Sequence, residues 1–436
     1  MFSEGKAKSQ SRAVITAISY VLNMAWQEKK PADRVLSSYF HQHRELGSRD
    51  RRVISEAFFS LCRWWGWLKK IAPDNTSAPE NDWFPVICGA LLMENIQAPM
   101  LLRLWLEQNK KHLSVLRNIP SKPQERFLWI AHLLGFHKTK GANPKELIPS
   151  WTLSEINCDK SVFNLISWLQ KRPPLWLRIQ KGEPEKIIHE LEQQDLNVKR
   201  HNFIKNAVAL YKTGINLMDT PLYREGDIEV QDISSQAVGI ICSPKAGQRW
   251  WDVCAGGGGK TLLLAQLMNG KGVIIASDKY SFKLEEMRRR AKRAGFSNIS
   301  TWNWKGKKLP KEKAIFDGVL VDAPCSGSGT WRRNPAARWN IAKADLKKFS
   351  ELQFDILLNA ASGVKPGGIL VYATCSMFRE ENEDVLKKFL TANPFFELDP
   401  FINPLTQKST EGYIQIWPWD GDCDSMFVAR MKNITQ

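Results

Sequence analysis

Along the first third of the chain the apolar residues fall at helical spacing. Ala13, Ile15, Ala17, Ile18, Val21 and Leu22 recur near a 3.6-residue period, and Val53, Ala57, Phe58, Leu61, Trp64 and Trp65 repeat the pattern. Asp82-Trp83-Phe84-Pro85 marks a helix start with an acidic cap. These signals predict an all-α domain over residues 1–145, closed by the punctuation of Gly141-Ala142-Asn143-Pro144 and Ile148-Pro149-Ser150 as a linker. A mixed segment follows, in which Pro174–Ile179 alternates like a strand and Glu185–Gln193 reads as a short helix. It predicts a small α+β linking domain over 146–247. From Arg249 onward short apolar runs alternate with amphipathic helices, the signature of an α/β domain built on a parallel sheet, over 248–436.

Length and charge narrow the class. A chain of 436 residues is long enough for two or three cores. Lys plus Arg number 62 against 45 for Asp plus Glu, a net charge of +17 that calls for a polyanionic partner. The longest apolar run, Phe84–Met93, is too short to span a bilayer, and Met1–Lys6 lacks a signal-peptide core. No membrane is therefore expected, and nucleic acid is the partner that remains. Eight cysteines without CxxC spacing predict neither a disulfide framework nor a metal site, which fits a monomer in the reducing cytoplasm. Of the eighteen tryptophans, Trp64, Trp65 and Trp67 stand at helical spacing and read as core.

The chemistry concentrates in the last third. Cys325, in Asp322-Ala323-Pro324-Cys325-Ser326-Gly327, and Cys375, in Thr374-Cys375-Ser376, each follow a short apolar run that reads as a buried strand. Open α/β sheets build their sites at such strand ends, so the two thiols suggest covalent chemistry in which one attacks and one assists. A third run ends at Asp252, where Cys254-Ala255-Gly256-Gly257-Gly258-Gly259-Lys260-Thr261 opens a helix. A phosphate-binding P-loop would need its first glycine at Cys254, so that reading fails. Val273–Asp278 then ends in an acid where nucleotide-binding folds hold ribose hydroxyls; the competing role for Asp278 is a cap on the helix Ser281–Ala294.

Taken together, Asp252–Thr261, Asp322–Gly327 and Thr374–Ser376 resemble motifs I, IV and VI of the RNA 5-methylcytosine methyltransferases, the Sun/nucleolar-protein family, and within it the bacterial enzymes that modify 16S rRNA. The resemblance runs from about Pro174 to the C-terminus; more loosely, the helical region resembles the NusB-like RNA-binding domain attached to such enzymes. It implies a class I, Rossmann-like methyltransferase fold with a seven-strand type sheet, S-adenosyl-L-methionine as cofactor, and RNA, rRNA foremost, as partner.

The implied reaction begins with a thiolate adding to carbon 6 of cytosine, which makes carbon 5 nucleophilic enough to take a methyl group. Sequence physics leaves the order of the two cysteines open. The resemblance assigns attack to Cys375 and product release to Cys325, with Asp322 and Lys260 on the base edge. It also places Cys254, Ala255, Gly256, Gly257, Gly258, Gly259, Lys260, Asp278 and Asp322 around the cofactor. Two positions depart from the family: Gly257 stands where a proline is usual, and Asn303 stands where an acid faces the adenine amino group. Asn303 can still accept that hydrogen bond. Arg332 and Arg333, in Trp331-Arg332-Arg333-Asn334-Pro335, match a family segment and are expected to hold RNA. The basic stretches Arg288–Arg293 and Lys305–Lys313 add positive surface. A tRNA-directed enzyme and a non-catalytic RNA-binding assembly factor are the alternatives; the intact set Lys260, Asp322, Cys325 and Cys375 speaks against the second.

Overall fold

The computed structural model of the chain describes residues 3–73, 80–96, 99–139, 141–211, 215–306 and 314–435. The chain forms two compact units. One holds Met1–Ser154, Cys158–Lys171 and Trp331–Ile341; the other holds Glu155–Asn157, Arg172–Thr330 and Ala342–Gln436.

The first unit is helical. Its long helices are Glu4–Trp26, Ala32–Gln42, Ser48–Leu68, Glu80–Met93, Pro99–Gln108 and Pro123–Leu133. Helix Glu4–Trp26 buries Ala7, Val14, Ile18, Val21, Leu22 and Ala25, a stripe at three- and four-residue steps. Helix Glu80–Met93 starts two residues before the expected cap and carries Pro85 inside its second turn. Trp64 and Trp67 are core residues, as their spacing implies, and Trp65 is half-buried. Gly66 admits the backbone of 146–147 against its helix: a Cβ there would lie 1.9 Å from the Glu146 carbonyl oxygen.

The expected boundary at 145 falls inside this unit. Leu147 and Ile148 are each 2 % exposed, so the Gly141–Ser150 punctuation is anchored to this unit by its apolar pair. Arg338, from the segment Trp331–Ile341, is fully buried and donates to the main-chain carbonyls of Leu147 at 2.6 Å and Leu169 at 3.2 Å. Carbonyls otherwise left unpaired give the segment a physical reason to join the helices.

The second unit contains two main sheets. Strands β1 (Leu175–Ile179), β2 (Val198–Arg200), β3 (Ala207–Leu210) and β4 (Ile228–Val230) form an antiparallel sheet in the order β2-β3-β1-β4. The large sheet comprises β5 (Arg249–Asp252), β6 (Val273–Ser277), β7 (Ile299–Trp302), β8 (Phe316–Asp322), β9 (Val364–Thr374) and β10 (Phe396–Leu398). Two further strands complete it, β13 (Tyr413–Ile416) and β14 (Met426–Asn433), and a separate hairpin pairs β11 (Phe401–Ile402) with β12 (Ser409–Thr410). The order is β10-β14-β9-β8-β5-β6-β7, with β13 on β14, eight strands where seven were expected.

Strands β5 to β9 are mutually parallel, and β14 runs against β9. From β5 the chain winds outward to β7, then returns to β8 on the other flank, so the switch point lies between β5 and β8. Both faces of the sheet are covered. Trp250, Leu320 and Val371 point into one core, and Trp251, Val319, Val321 and Tyr372 into the other. That is why these strands read as unbroken apolar runs. Trp176, Ala207 and Ala209 of the small sheet share the first of these cores, so the part of the expected linking domain from Arg172 to 247 packs as one body with the large sheet, while most of 146–171 belongs to the helical unit.

Candidate active site

The parallel register of β8 and β9 brings the cysteine loops together. Val321 faces Tyr372 and Asp322 faces Ala373, and the Ala323 N–H continues the ladder to the Ala373 carbonyl at 2.9 Å. The Gly329 N–H donates to the Cys375 carbonyl at 2.9 Å, closing the first loop onto the second. The sulfurs of Cys325 and Cys375 lie 3.3 Å apart in hydrogen-bonding contact. Both side chains are partly exposed, whereas Cys62, Cys88, Cys242 and Cys423 are buried in cores and Cys158 is half-buried.

Across the switch point, β5 delivers the glycine loop. Gly256 (φ +55°) and Gly258 (φ +86°) take left-handed backbone, and a Cβ on Gly258 would lie 2.2 Å from Met287 Cγ. The helix Gly259–Leu267 follows, buried from Thr261 to Ala265 by its leucines. Arg178 Nη1 holds the Gly259 carbonyl at 3.0 Å and Arg290 Nη1 holds that of Gly257 at 2.6 Å, which braces the loop where the family's proline is missing. In the first turn of the helix, Lys260 Nζ reaches Asp322 Oδ2 at 2.8 Å. This ion pair ties β5 to β8 beside the cysteines.

Electrostatics separate the groups. Burial works against the Lys260 ammonium, but Asp322 outweighs it and holds Lys260 above its ordinary value, with the field of Cys375 adding to the effect. Cys325 is pushed well above the ordinary thiol range by its hydrogen bond to Cys375, by burial and by the negative fields of Cys375 and Glu381; the Gly327 backbone opposes this. Burial also pushes up the Cys254 thiol. It raises Asp252, at the end of β5, to about 7, against a hydrogen bond from the Thr261 hydroxyl at 2.7 Å.

The residues expected around the cofactor gather at one edge of the sheet. Asp278, 7 % exposed, accepts from the Tyr280 N–H at 2.9 Å and from the Gly256 N–H at 3.0 Å. It thus makes the local turn before the helix Ser281–Ala294 and also pins the glycine loop. Asn303 follows β7 directly and is exposed. The fit to a nucleoside cofactor rests on the loop: apart from its chain neighbours, no described residue lies within 4 Å of the Cβ position of Gly256, which leaves open room beside Asp278. Asp252 Oδ1, buried close by, has no hydrogen-bond partner among the described residues.

The basic residues are placed differently. Arg332 is 1 % exposed within the helical unit, its guanidinium 5.1 Å from the Trp168 ring and its carbonyl accepting from Arg63 Nη2 at 2.8 Å. The expectation that Arg332 meets RNA encounters a side chain already enclosed by protein. Arg333 is exposed. In the Arg288–Arg293 cluster, Arg290 and Arg293 pair with the buried Glu229 at 3.2 and 2.7 Å and serve the fold. Residues 307–313 of the lysine run lie outside the described residues.

Sequence reasoning missed the polar shell beneath the sulfurs. Glu381, Gln353, Asn382, Ser328 and Ser376 are fully buried and joined by hydrogen bonds around the two loops. The acidic run Arg379–Glu383 carries no periodicity to show which of its acids turns inward.

Comparison with known proteins now adds identity to geometry. Residues 239–432 match the family described as 16S rRNA methyltransferase RsmB/F. The probable ribosomal RNA small subunit methyltransferase B of Bacillus subtilis is 29 % identical over 301 residues, 67 % of this chain and 67 % of that protein. The 28S rRNA (cytosine-C(5))-methyltransferase of Mus musculus is 37 % identical over 186 residues, covering 42 % of this chain and 24 % of its own length. The crystal structure of PH0851 superposes with a TM-score of 0.75 at 26 % identity, over 97 % of this chain and 98 % of that one. With the paired cysteines, the glycine loop and the switch-point sheet in place, residues 239–432 of this chain are similar to the RsmB/F family of S-adenosylmethionine-dependent RNA cytosine-5 methyltransferases.

Proposed function

We propose that this chain methylates carbon 5 of a cytosine in 16S rRNA, with Cys375 bonding covalently to the base and Cys325 assisting its release. The observation that carries this reading is the unequal setting of two touching sulfurs. The Lys260 ammonium lies within the electrostatic reach of Cys375, whereas Cys325 feels the Glu381 carboxylate. A thiolate is stabilised beside a cation and a thiol beside an anion.

The steps then balance on this chain's own groups. The Cys375 thiolate adds to carbon 6, and the displaced electron pair moves toward the ring nitrogen and carbonyl edge, where Lys260 and Asp322 offer charge-assisted hydrogen bonds. S-adenosylmethionine, when bound, supplies the methyl group that carbon 5 takes. Release requires loss of the carbon 5 proton and cleavage of the carbon 6–sulfur bond, whose electron pair returns to Cys375. Cys325, 3.3 Å away, gives its proton to the departing sulfur and accepts the carbon 5 proton in return, ending as a thiol.

Cys254 to Lys260 and Asp278 would hold the cofactor, with Asn303 toward its adenine. The target base must be unpaired or flipped out, since carbons 5 and 6 are closed off in a stack. Among the described residues no helix is long and apolar enough to cross a membrane. None of the eight cysteines forms a disulfide, which suits a reducing cytoplasm. The test is methyl transfer from methyl-labelled S-adenosylmethionine to 16S rRNA. Labelled 5-methylcytosine in the nuclease digest is the expected product; label on tRNA alone, or on no RNA, contradicts the reading.

A further inference from the structure

One carboxylate between the two cysteine loops remains unassigned. Glu381, on the turn Arg379–Glu381 after the Thr374–Ser376 motif, is fully buried. Its Oε1 accepts from the Ser326 N–H at 2.8 Å and from Gln353 Nε2 at 2.9 Å, and its Oε2 accepts from the Ser376 hydroxyl at 2.5 Å. Ser326 follows Cys325 and Ser376 follows Cys375, so one side chain fixes the residue after each sulfur. The Ser326, Ser328 and Ser376 hydroxyls interlock at 3.2 to 3.3 Å above it, and the Met377 N–H donates to Ser328 at 2.8 Å.

A purely structural hub does not need a charge there. Neutral hydroxyls and amides, like the Ser328, Gln353 and Asn382 side chains around it, can tie loops together and avoid the cost of burying an anion. Among the described residues no cation forms an ion pair with Glu381, and both of its oxygens are held by hydrogen bonds from the two cysteine loops and Gln353. An uncompensated negative charge kept beside two sulfurs acts on the sulfurs.

We propose that Glu381 is a positioning residue that holds both sulfurs in register and fixes their division of labour, so that Cys325 stays the proton-bearing thiol and Cys375 is left to carry the charge. The inference rests on the reading of Cys375 as nucleophile. The groups facing Cys325 are Cys375, Glu381 and the fully buried Tyr372, whose hydroxyl donates to the Glu381 main-chain carbonyl at 2.5 Å. Lys260, in the first turn of the helix after β5, and Asp322, at the end of β8, form the neighbouring ion pair, and Lys260 lies in the field of Cys375. Glu381 and Cys375 both act to keep the proton on Cys325.

The experiment uses the full chain without RNA or cofactor, and follows iodoacetamide alkylation of Cys325 by mass spectrometry across pH. Glu381→Gln removes the charge and keeps the size. Its Cys325 profile is expected to move toward lower pH, with alkylation near neutrality faster by about tenfold, one unit of the profile. Glu381→Asp, which restores the charge, is expected to return the profile toward that of the parent. Ser376→Ala breaks one hydrogen bond and leaves the charge, so it should leave the profile in place. An unmoved profile in folded Glu381→Gln overturns the proposal. If Glu381→Gln does not fold, a Ser376→Ala profile shifted as far as tenfold overturns it, because bonding alone would then set the sulfur, and an unmoved one supports it. Since no RNA is present, this result is independent of which cysteine forms the adduct with RNA.

Discussion

Asp252 shows how the site's electrostatics reach into stability. Its carboxyl lies 1 % exposed at the end of β5, and burial raises it to about 7. A folded-state value above the unfolded one of about 3.9 means the native protein holds this proton more tightly. Its contribution is therefore complete below about pH 4 and is lost as pH rises through about 7. Three units correspond to roughly 4 kcal/mol at most, as an order of magnitude. Asp252→Asn, neutral at every pH, is expected to remove this slope. Urea midpoints at about pH 5 and about pH 8 check it: the parent loses stability between them through this group, and the variant loses less. A variant that falls as steeply as the parent would show that Asp252 titrates normally.

At the level of elements, what was legible in the sequence followed from periodicity and punctuation. The helix Ser281–Ala294 has the expected bounds, and β6 ends one residue before Asp278. The apolar runs at Phe316 and Ile369 are β8 and part of β9, since strands buried on both faces leave no alternation to blur. The cysteines, Lys260 and Asp322 stand together because each ends a strand or opens a helix at one sheet edge. What was not legible depended on contacts distant in sequence. Arg332 continues the Cys325 loop in the chain, yet it packs with Trp168 of the helical unit, 164 positions earlier as counted from the residue numbers. The Gly141–Ser150 turn reads as a linker by composition, yet its Leu147 and Ile148 are buried in the helical unit. Glu381 stands among Glu380, Glu383 and Asp384, and three-dimensional closure alone selects it as the fully buried one.

The whole molecule carries a charge of +17 that local ion pairs do not consume. Arg290 and Arg293 serve Glu229, but Lys and Arg exceed Asp and Glu across the chain. Such an excess draws RNA by releasing counterions, and affinity then falls as a power of salt concentration. If three phosphates are neutralised, raising salt from about 50 to about 200 mM should weaken RNA binding roughly fortyfold. Filter binding or fluorescence anisotropy across that range measures the slope. A flat dependence would mean that RNA is held without this charge.

The central claim is the split between two sulfurs in contact, and one denaturing gel tests it most directly. Parent, Cys325→Ala and Cys375→Ala chains are incubated with 16S rRNA and S-adenosylmethionine, then denatured and resolved. The account predicts a covalent protein–RNA band that accumulates in Cys325→Ala, where attack proceeds and release fails, and no such band in Cys375→Ala. An adduct that accumulates in Cys375→Ala and is missing from Cys325→Ala would reverse the roles and contradict the account.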